Sequence, residues 1–182
     1  MKKKCIRALL GLAMAALAIP ASAQNVSLYV GANYGKSHFT NGCSLAPAPC
    51  EKDRDTGGGV FAGLQFWKFI GVEAGWHTFG TLRLGTTDIK TTAVDLVGVL
   101  TVPIYGHFAV YAKGGGYHGD MKSDFGDVRK DGGTYGGGLQ YDVGGGGALR
   151  AEWQRYMKMG GGQLPDTTNI DMVTVGLVFH FR

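Results

Sequence analysis

Apolar and polar positions alternate with a period of two along most of the chain beyond residue 25, and the alternation recurs eight times. Val26, Leu28, Val30, Ala32 and Tyr34 oppose Ser27, Tyr29, Gly31, Asn33 and Gly35, and Val60, Ala62, Leu64 and Phe66 oppose Gly59, Phe61, Gly63 and Gln65. A third run sets Ile70, Val72, Ala74 and Trp76 against Gly71, Glu73, Gly75 and His77. The fourth sets Val94, Leu96, Gly98, Leu100 and Val102 against Ala93, Asp95, Val97, Val99 and Thr101. Four more runs follow over 108–113, 134–141, 149–154 and 173–181. Such a period predicts strands that are apolar on one face and small or polar on the other.

The connections between the runs alternate in length. Trp67–Phe69, Pro103–Gly106 and the glycine run after Asp142 are short, whereas 41–56, 80–90, 119–132 and 157–168 are long and polar. Short turns at one end and long loops at the other predict an all-β, eight-stranded antiparallel up-and-down transmembrane barrel, with its long loops outside the cell. A soluble lipocalin-type barrel would turn its apolar face inward and show no such asymmetry. The aromatic residues fall into two belts. Phe66, Phe69, Tyr105, Phe108, Tyr141, Phe179 and Phe181 group toward the periplasmic ends of the strands, and Tyr34, Trp76, Tyr135 and Trp153 toward the other rim. Amphipathic rings prefer the headgroup level, so two belts around a band of Val, Leu and Ala fit a bilayer.

The N-terminus reads differently. Lys2, Lys3, Lys4 and Arg7 precede an apolar run from Ala8 to Ile19, then Pro20 and the small residues Ala21-Ser22-Ala23. The run is too short to span a bilayer, and residues 1–23 are expected to be a cleaved secretory signal peptide, leaving 24–182 as the barrel domain. Those four cations are part of the 18 Lys and Arg of the whole chain, so 14 remain against 14 acidic residues. The domain is formally neutral, which removes the basic face a nucleic-acid partner would need. Glycine, at 32 residues, far exceeds its usual share of roughly 7%. Without a three-residue period this is not collagen, and among alternating apolar residues it indicates a strongly curved sheet. Cys43 and Cys50 flank a proline-containing loop and, in an oxidising compartment, are expected to form a local disulfide; a metal site and two free thiols are the competing readings.

The inward faces carry Glu73, Asp95, Lys113, Gln140, Arg150 and Glu152. Charges in a narrow lumen need partners or water. A compensated network that plugs the barrel is expected, and the sharper alternative is a gate in which a Glu73–Arg150 pair swaps partners to pass small ions. No catalytic, cofactor-binding or metal-binding constellation is expected. His38, His77, His107, His118 and His180 are scattered, and Gly114–Gly116 and Gly136–Gly138 lie inside strand patterns with no helix following, unlike phosphate loops. The mixed charges of Glu51–Asp55 are expected to solvate an external loop.

Gly58-Gly59-Val60-Phe61-Ala62-Gly63-Leu64-Gln65-Phe66, a short turn, then Ile70-Gly71-Val72-Glu73-Ala74-Gly75-Trp76 resembles strands two and three of the OmpA-type transmembrane domain. Tyr111–Gly115, Leu149–Gln154 and Val173–Phe181 resemble its strands five, seven and eight. The resemblance implies an outer-membrane barrel with a polar, mostly plugged interior and, in some members, weak channel activity. Glu73 and Arg150 match the family's interior acid–arginine pair, and Lys113 a basic position on strand five. The family's exchanging lysine on strand four stands here as Val99, and an interior acid of strand six as Gln140. The chain ends with the barrel, so the peptidoglycan-binding domain of many members is expected to be absent. Phe181 sits one place before the end, a departure from the terminal aromatic of assembly signals that the barrel-assembly machinery is expected to tolerate.

The function expected is structural and surface-interacting, with at most weak gated conductance, in a non-enzymatic protein of the Gram-negative outer membrane. The alternatives are a small porin-like channel, which needs an open interior, and a lipid-modifying barrel enzyme. Deacylating barrels carry a lipid-facing His-x-Ser pair, whereas His77 is followed by Thr78 and Phe79. Expected partners are outer-membrane lipids and lipopolysaccharide, the barrel-assembly machinery and periplasmic chaperones during biogenesis, and a surface ligand at the external loops. No cofactor is expected, and the barrel is expected to be a monomer.

Overall fold

A computed structural model describes residues 26–40, 50–52, 54–67, 69–84, 87–123, 126–160 and 167–181. They form β1 (Val26–Phe39), β2 (Cys50–Lys52), β3 (Arg54–Phe66), β4 (Ile70–Leu84), β5 (Thr87–Tyr105), β6 (Phe108–Ser123), β7 (Gly126–Gly144), β8 (Gly147–Gly160) and β9 (Thr167–Phe181). Each long strand pairs antiparallel with its neighbours in chain order, and β1 closes the ring on β9 from Leu28↔Phe181 to Phe39↔Ile170. The short β2 only extends the outer end of β4. The result is a closed eight-stranded antiparallel barrel, in which every strand finds its hydrogen bonds within the sheet and no edge is left for lipid to satisfy.

Side chains follow the parity read from the sequence. Val60, Val72, Val94, Leu96, Leu100, Leu139, Leu177 and Phe179 stand exposed on the outer wall, while Tyr29, Phe61, Glu73, Asp95, Tyr111 and Arg150 are buried in the lumen. The exposed aromatics include Phe66, Phe69, Tyr105, Phe108, Tyr141, Phe179 and Phe181 at the tight-turn end and Tyr34, Trp76, Tyr135 and Trp153 toward the other. Tyr135 and Trp153 touch edge to face on neighbouring strands, 5.6 Å between ring centres.

The strands run farther than the alternation suggests, and most of the expected long loops are corrected. Pairing continues from Thr81↔Lys90 to Leu84↔Thr87 and from Gly119↔Lys130 to Ser123↔Gly126, so 80–90 and 119–132 are mainly hairpin. Likewise β3 begins at Arg54, β8 reaches Gly160 and β9 starts at Thr167. At the other end, β5 keeps Pro103–Tyr105 in the strand and turns only at Gly106–His107. The turn between β7 and β8 needs three successive positive-φ residues, Gly144, Gly145 and Gly146 at 85°, 63° and 83°, which only glycine adopts freely. The expected signal peptide, the Glu51–Asp55 side chains apart from Asp55, and the Cys43–Cys50 pair as a disulfide lie outside what is described.

Candidate functional site: the barrel interior

The lumen is filled in layers. Nearest the tight turns, Tyr29, Phe61, Ala148 and Val178 form a small apolar cluster. A polar cavity of about 60 Å³ lies at this level, lined by Gln65, Thr101, Gln140, Arg150 and others, and has room for only a few waters.

Above it sits a charged quartet contributed by β4, β6 and β8. Arg150 Nη1 donates to Glu73 Oε2 at 2.7 Å, and Lys113 Nζ bridges Glu73 Oε1 at 3.3 Å and Glu152 Oε1 at 2.7 Å. All four are nearly fully buried. Their remaining hydrogen-bonding capacity is taken up by neighbours. Tyr29 and Tyr111 hydroxyls donate to Glu73 Oε2 at 3.1 Å and Glu152 Oε2 at 2.7 Å, and Arg150 reaches its cross-strand partner Gln140 at 3.2 Å. The guanidinium also lies over Tyr111, Phe61 and Tyr29, 4.6, 4.9 and 5.6 Å from their ring centres. Two cations against two carboxylates leave this layer neutral, as burial demands.

Val99 and Lys113 stand directly opposite each other on β5 and β6. Lys113 thus reaches both carboxylates from the height of Val99, and Val97, Val99 and Tyr111 form an apolar cluster of their own. Gln140 keeps a role as acceptor where the family resemblance places an acid.

The third layer holds Asp95. Its Oδ2 accepts from Tyr156 Oη at 2.7 Å and Gln154 Nε2 at 2.9 Å, and Gln154 also reaches Thr134 Oγ1 at 2.9 Å. His77 Nε2 stands 3.6 Å from the same carboxylate oxygen. Over this lies an apolar cap of Phe39, Phe79, Ala93, Tyr117, Met121, Tyr156, Met159, Ile170 and Met172. Tyr156, Phe79, Met159 and Ile170 have no exposed surface at all. Tyr156 is its hub, edge-on to Phe79 at 4.7 Å and to Tyr117 at 5.3 Å.

The structure therefore gathers Glu73, Lys113, Arg150, Glu152 and Gln140 into one network and places Asp95 in a separate one. Tyr29, Tyr111, His77, Gln154 and Tyr156 belong to these networks and were not singled out as site residues from the sequence. Strand parity was the available signal, since Tyr29, Tyr111, His77 and Gln154 all fall in the inward phase. Of the other histidines, His118 pairs with Asp131 at 2.5 Å on the exposed wall and His107 lies in a turn against Tyr141. No cluster of three metal-ligating side chains occurs among the described residues.

One glycine fixes the seating of Tyr29. A Cβ on Gly63 would fall 2.2 Å from Tyr29 Cζ, so only a residue without a side chain lets that ring cross the lumen toward Glu73. Gly63→Val is expected to displace the ring and lower unfolding free energy by about 2 kcal/mol through overpacking and a lost buried hydrogen bond. Urea titration in lipid vesicles, followed by tryptophan emission, measures this; an unchanged midpoint would mean that the ring does not need the space.

Comparison with known proteins places this geometry. The family model of the OmpA-like transmembrane domain matches residues 23–182. The chain is 26% identical over 194 residues to outer membrane protein A of Escherichia coli O157:H7, with all of this chain aligned to 55% of that protein, so it spans about half of that relative's length. Among solved structures it is similar to Neisserial surface protein A, with a TM-score of 0.65 at 14% identity, covering 86% of this chain and 97% of that one. It is also similar to Ail of Yersinia pestis (TM-score 0.56, 16% identity, 87% and 100% covered) and to the N-terminal β-barrel domain of Pseudomonas aeruginosa OprF (TM-score 0.56, 15% identity, 85% and 97% covered). At these identities the structural likeness concerns the fold.

Proposed function

The chain belongs to the OmpA-like transmembrane domain family and is a β-barrel protein of the bacterial outer membrane, and from that premise we propose that it is a closed, non-enzymatic scaffold with a structural and surface-interaction role. The observation that carries this reading is the filled lumen. A neutral ion quartet and an apolar cap lie in series along one narrow interior, so an ion entering from either end meets protein rather than water. Conduction through such a barrel is at most weak and requires rearrangement. What faces the surroundings is the apolar wall, suited to lipid and lipopolysaccharide acyl chains, and the outer hairpins, suited to a ligand at the cell surface. Biogenesis would engage periplasmic chaperones and the barrel-assembly machinery, and the barrel works as a monomer without a cofactor or a nucleic-acid partner.

A gated small-ion path is the second reading, favoured by Lys113. Its ammonium is shared between Glu73 and Glu152, so either carboxylate can hold it while the other exchanges with Arg150. A porin-like open channel and a lipid-modifying enzyme gain no such support.

Single-channel recording of the refolded protein in planar bilayers separates these readings, comparing wild type with Glu73→Ala and Arg150→Ala after heat-modifiable gel migration has shown each to be folded. The scaffold reading expects silence from wild type. Reproducible wild-type conductance that changes in the variants would replace it with the gated path.

A further inference from the structure

We propose that His77 and Asp95 form a proton-binding latch inside the barrel, which ties the apolar cap shut when the imidazole is charged. This goes beyond the scaffold reading and does not depend on whether the barrel conducts.

The site is built for the ring. A Cβ on Gly59 would lie 2.4 Å from His77 Nδ1, and one on Gly75 would lie 2.4 Å from Nε2 and 2.7 Å from Asp95 Oδ1. Two glycines thus clear the space that lets the imidazole lie against the carboxylate. His77 is 1% exposed, yet neither ring nitrogen has a hydrogen-bond partner. A buried polar group left in that condition is costly, and the 3.6 Å gap from Nε2 to Asp95 Oδ2 is one that a charged ring would close.

Charge balance gives the ring a purpose. The layers between the tight-turn end and the cap hold three carboxylates, Glu73, Glu152 and Asp95, but the permanent cations Lys113 and Arg150 are both engaged with the first two. The third is left with only neutral donors, and His77 is the base beside Asp95 that a proton would turn into its counter-charge. The groups around His77 are Asp95 on β5, Lys113 on β6, Glu152 and Tyr156 on β8, and Glu73 on its own strand, while β3 presents Gly59. A free histidine changes charge between about pH 5 and 8, taking its proton from water, and burial favours the neutral ring, so the range that tests the site extends down to about pH 4.

Asp95 passes the change to the cap. The oxygen facing His77 also holds the hydroxyl of Tyr156, the cap's hub. With the ring charged, one carboxylate binds both and the cap is tied to β4 and β5. With the ring neutral, Asp95 is a buried carboxylate held only by the neutral donors Tyr156 and Gln154, and the tie slackens.

Methionine oxidation by dilute hydrogen peroxide reads this in the intact protein refolded into vesicles. Met159 and Met121 lie in the cap, and the partly exposed Met157 serves as an internal reference in the same molecule. Site-resolved mass spectrometry should find Met159 and Met121 protected relative to Met157 by about tenfold more at the acidic end of the range than at the alkaline end, the scale of one charge-assisted hydrogen bond. Asp95→Asn restores charge balance without a proton and should make that ratio independent of pH, as should His77→Gln. The ¹⁵N shifts of the His77 ring, which need no variant, should pass from a doubly protonated to a single-tautomer pattern over the same range. A wild-type ratio that does not respond to pH, a His77 ring that stays neutral throughout, or a pH response surviving in whichever variants fold would each overturn the latch.

Discussion

Replacing Arg150 by alanine is expected to lower the unfolding free energy of the refolded barrel by about 3–5 kcal/mol, because it strips one cation from a buried network and leaves a carboxylate behind. Arg150 holds Glu73 at 2.7 Å, and Glu73 would then share Lys113 with Glu152, two buried carboxylates on one ammonium. The guanidinium also covers three aromatic faces and occupies the acceptor of Gln140, so packing and a hydrogen bond are lost with the charge. The control is the double variant Glu73→Gln with Arg150→Met. It leaves Lys113 paired with Glu152 at 2.7 Å and removes both members of the other pair, so most of the loss should be recovered. Urea titration in vesicles gives both numbers. A single-variant loss under about 1 kcal/mol, the scale of an exposed ion pair, would show that water reaches the quartet and that the lumen is not sealed there.

The quartet was legible from sequence because the barrel wall is regular. Once a strand's apolar face is assigned to lipid, every second residue must face the lumen, and Glu73, Lys113, Arg150 and Glu152 follow without any knowledge of register. What parity cannot give is height. That Lys113 stands across from Val99 depends on the stagger between β5 and β6. The same limit hid the separation of Asp95 from the quartet.

The cap was missed for a different reason. Beyond Tyr34, Trp76, Tyr135 and Trp153 the outer wall turns polar, with Lys36, Lys90, His118, Lys122, Arg129 and Asp131 facing outward there. The outward apolar signal stops at that height, and 80–90 and 119–132 read as loops. The inward phase continues, however, and becomes apolar at Phe39, Phe79, Met121, Tyr156 and Ile170. The alternation inverts rather than ends, and a search for apolar residues on one fixed face passes over it.

That inversion predicts the behaviour of Tyr156→Ala, which is expected to cost about 3–5 kcal/mol, the range for removing a large aromatic from a packed core. Below the aromatic rim, lipid stabilises the outer wall and the lumen can hold charges. Above it both sides of the sheet would meet water, so the strand extensions need a core of their own and behave as a small soluble barrel stacked on a membrane one. Tyr156 sits at the centre of that core and also donates to Asp95. Tyr156→Phe separates the two roles, since it loses only the hydroxyl and should cost about 1–2 kcal/mol. The remainder of the alanine effect belongs to packing in the upper barrel, and hydrogen exchange should localise it. Amides of Phe79–Thr81, Gly119–Met121 and Ile170–Met172 are expected to lose protection, while those at the level of Leu64, Val72 and Leu100 keep theirs. Loss of protection over the whole sheet would mean instead that the two halves fold as one unit and that the cap holds the membrane barrel as firmly as it holds the hairpins.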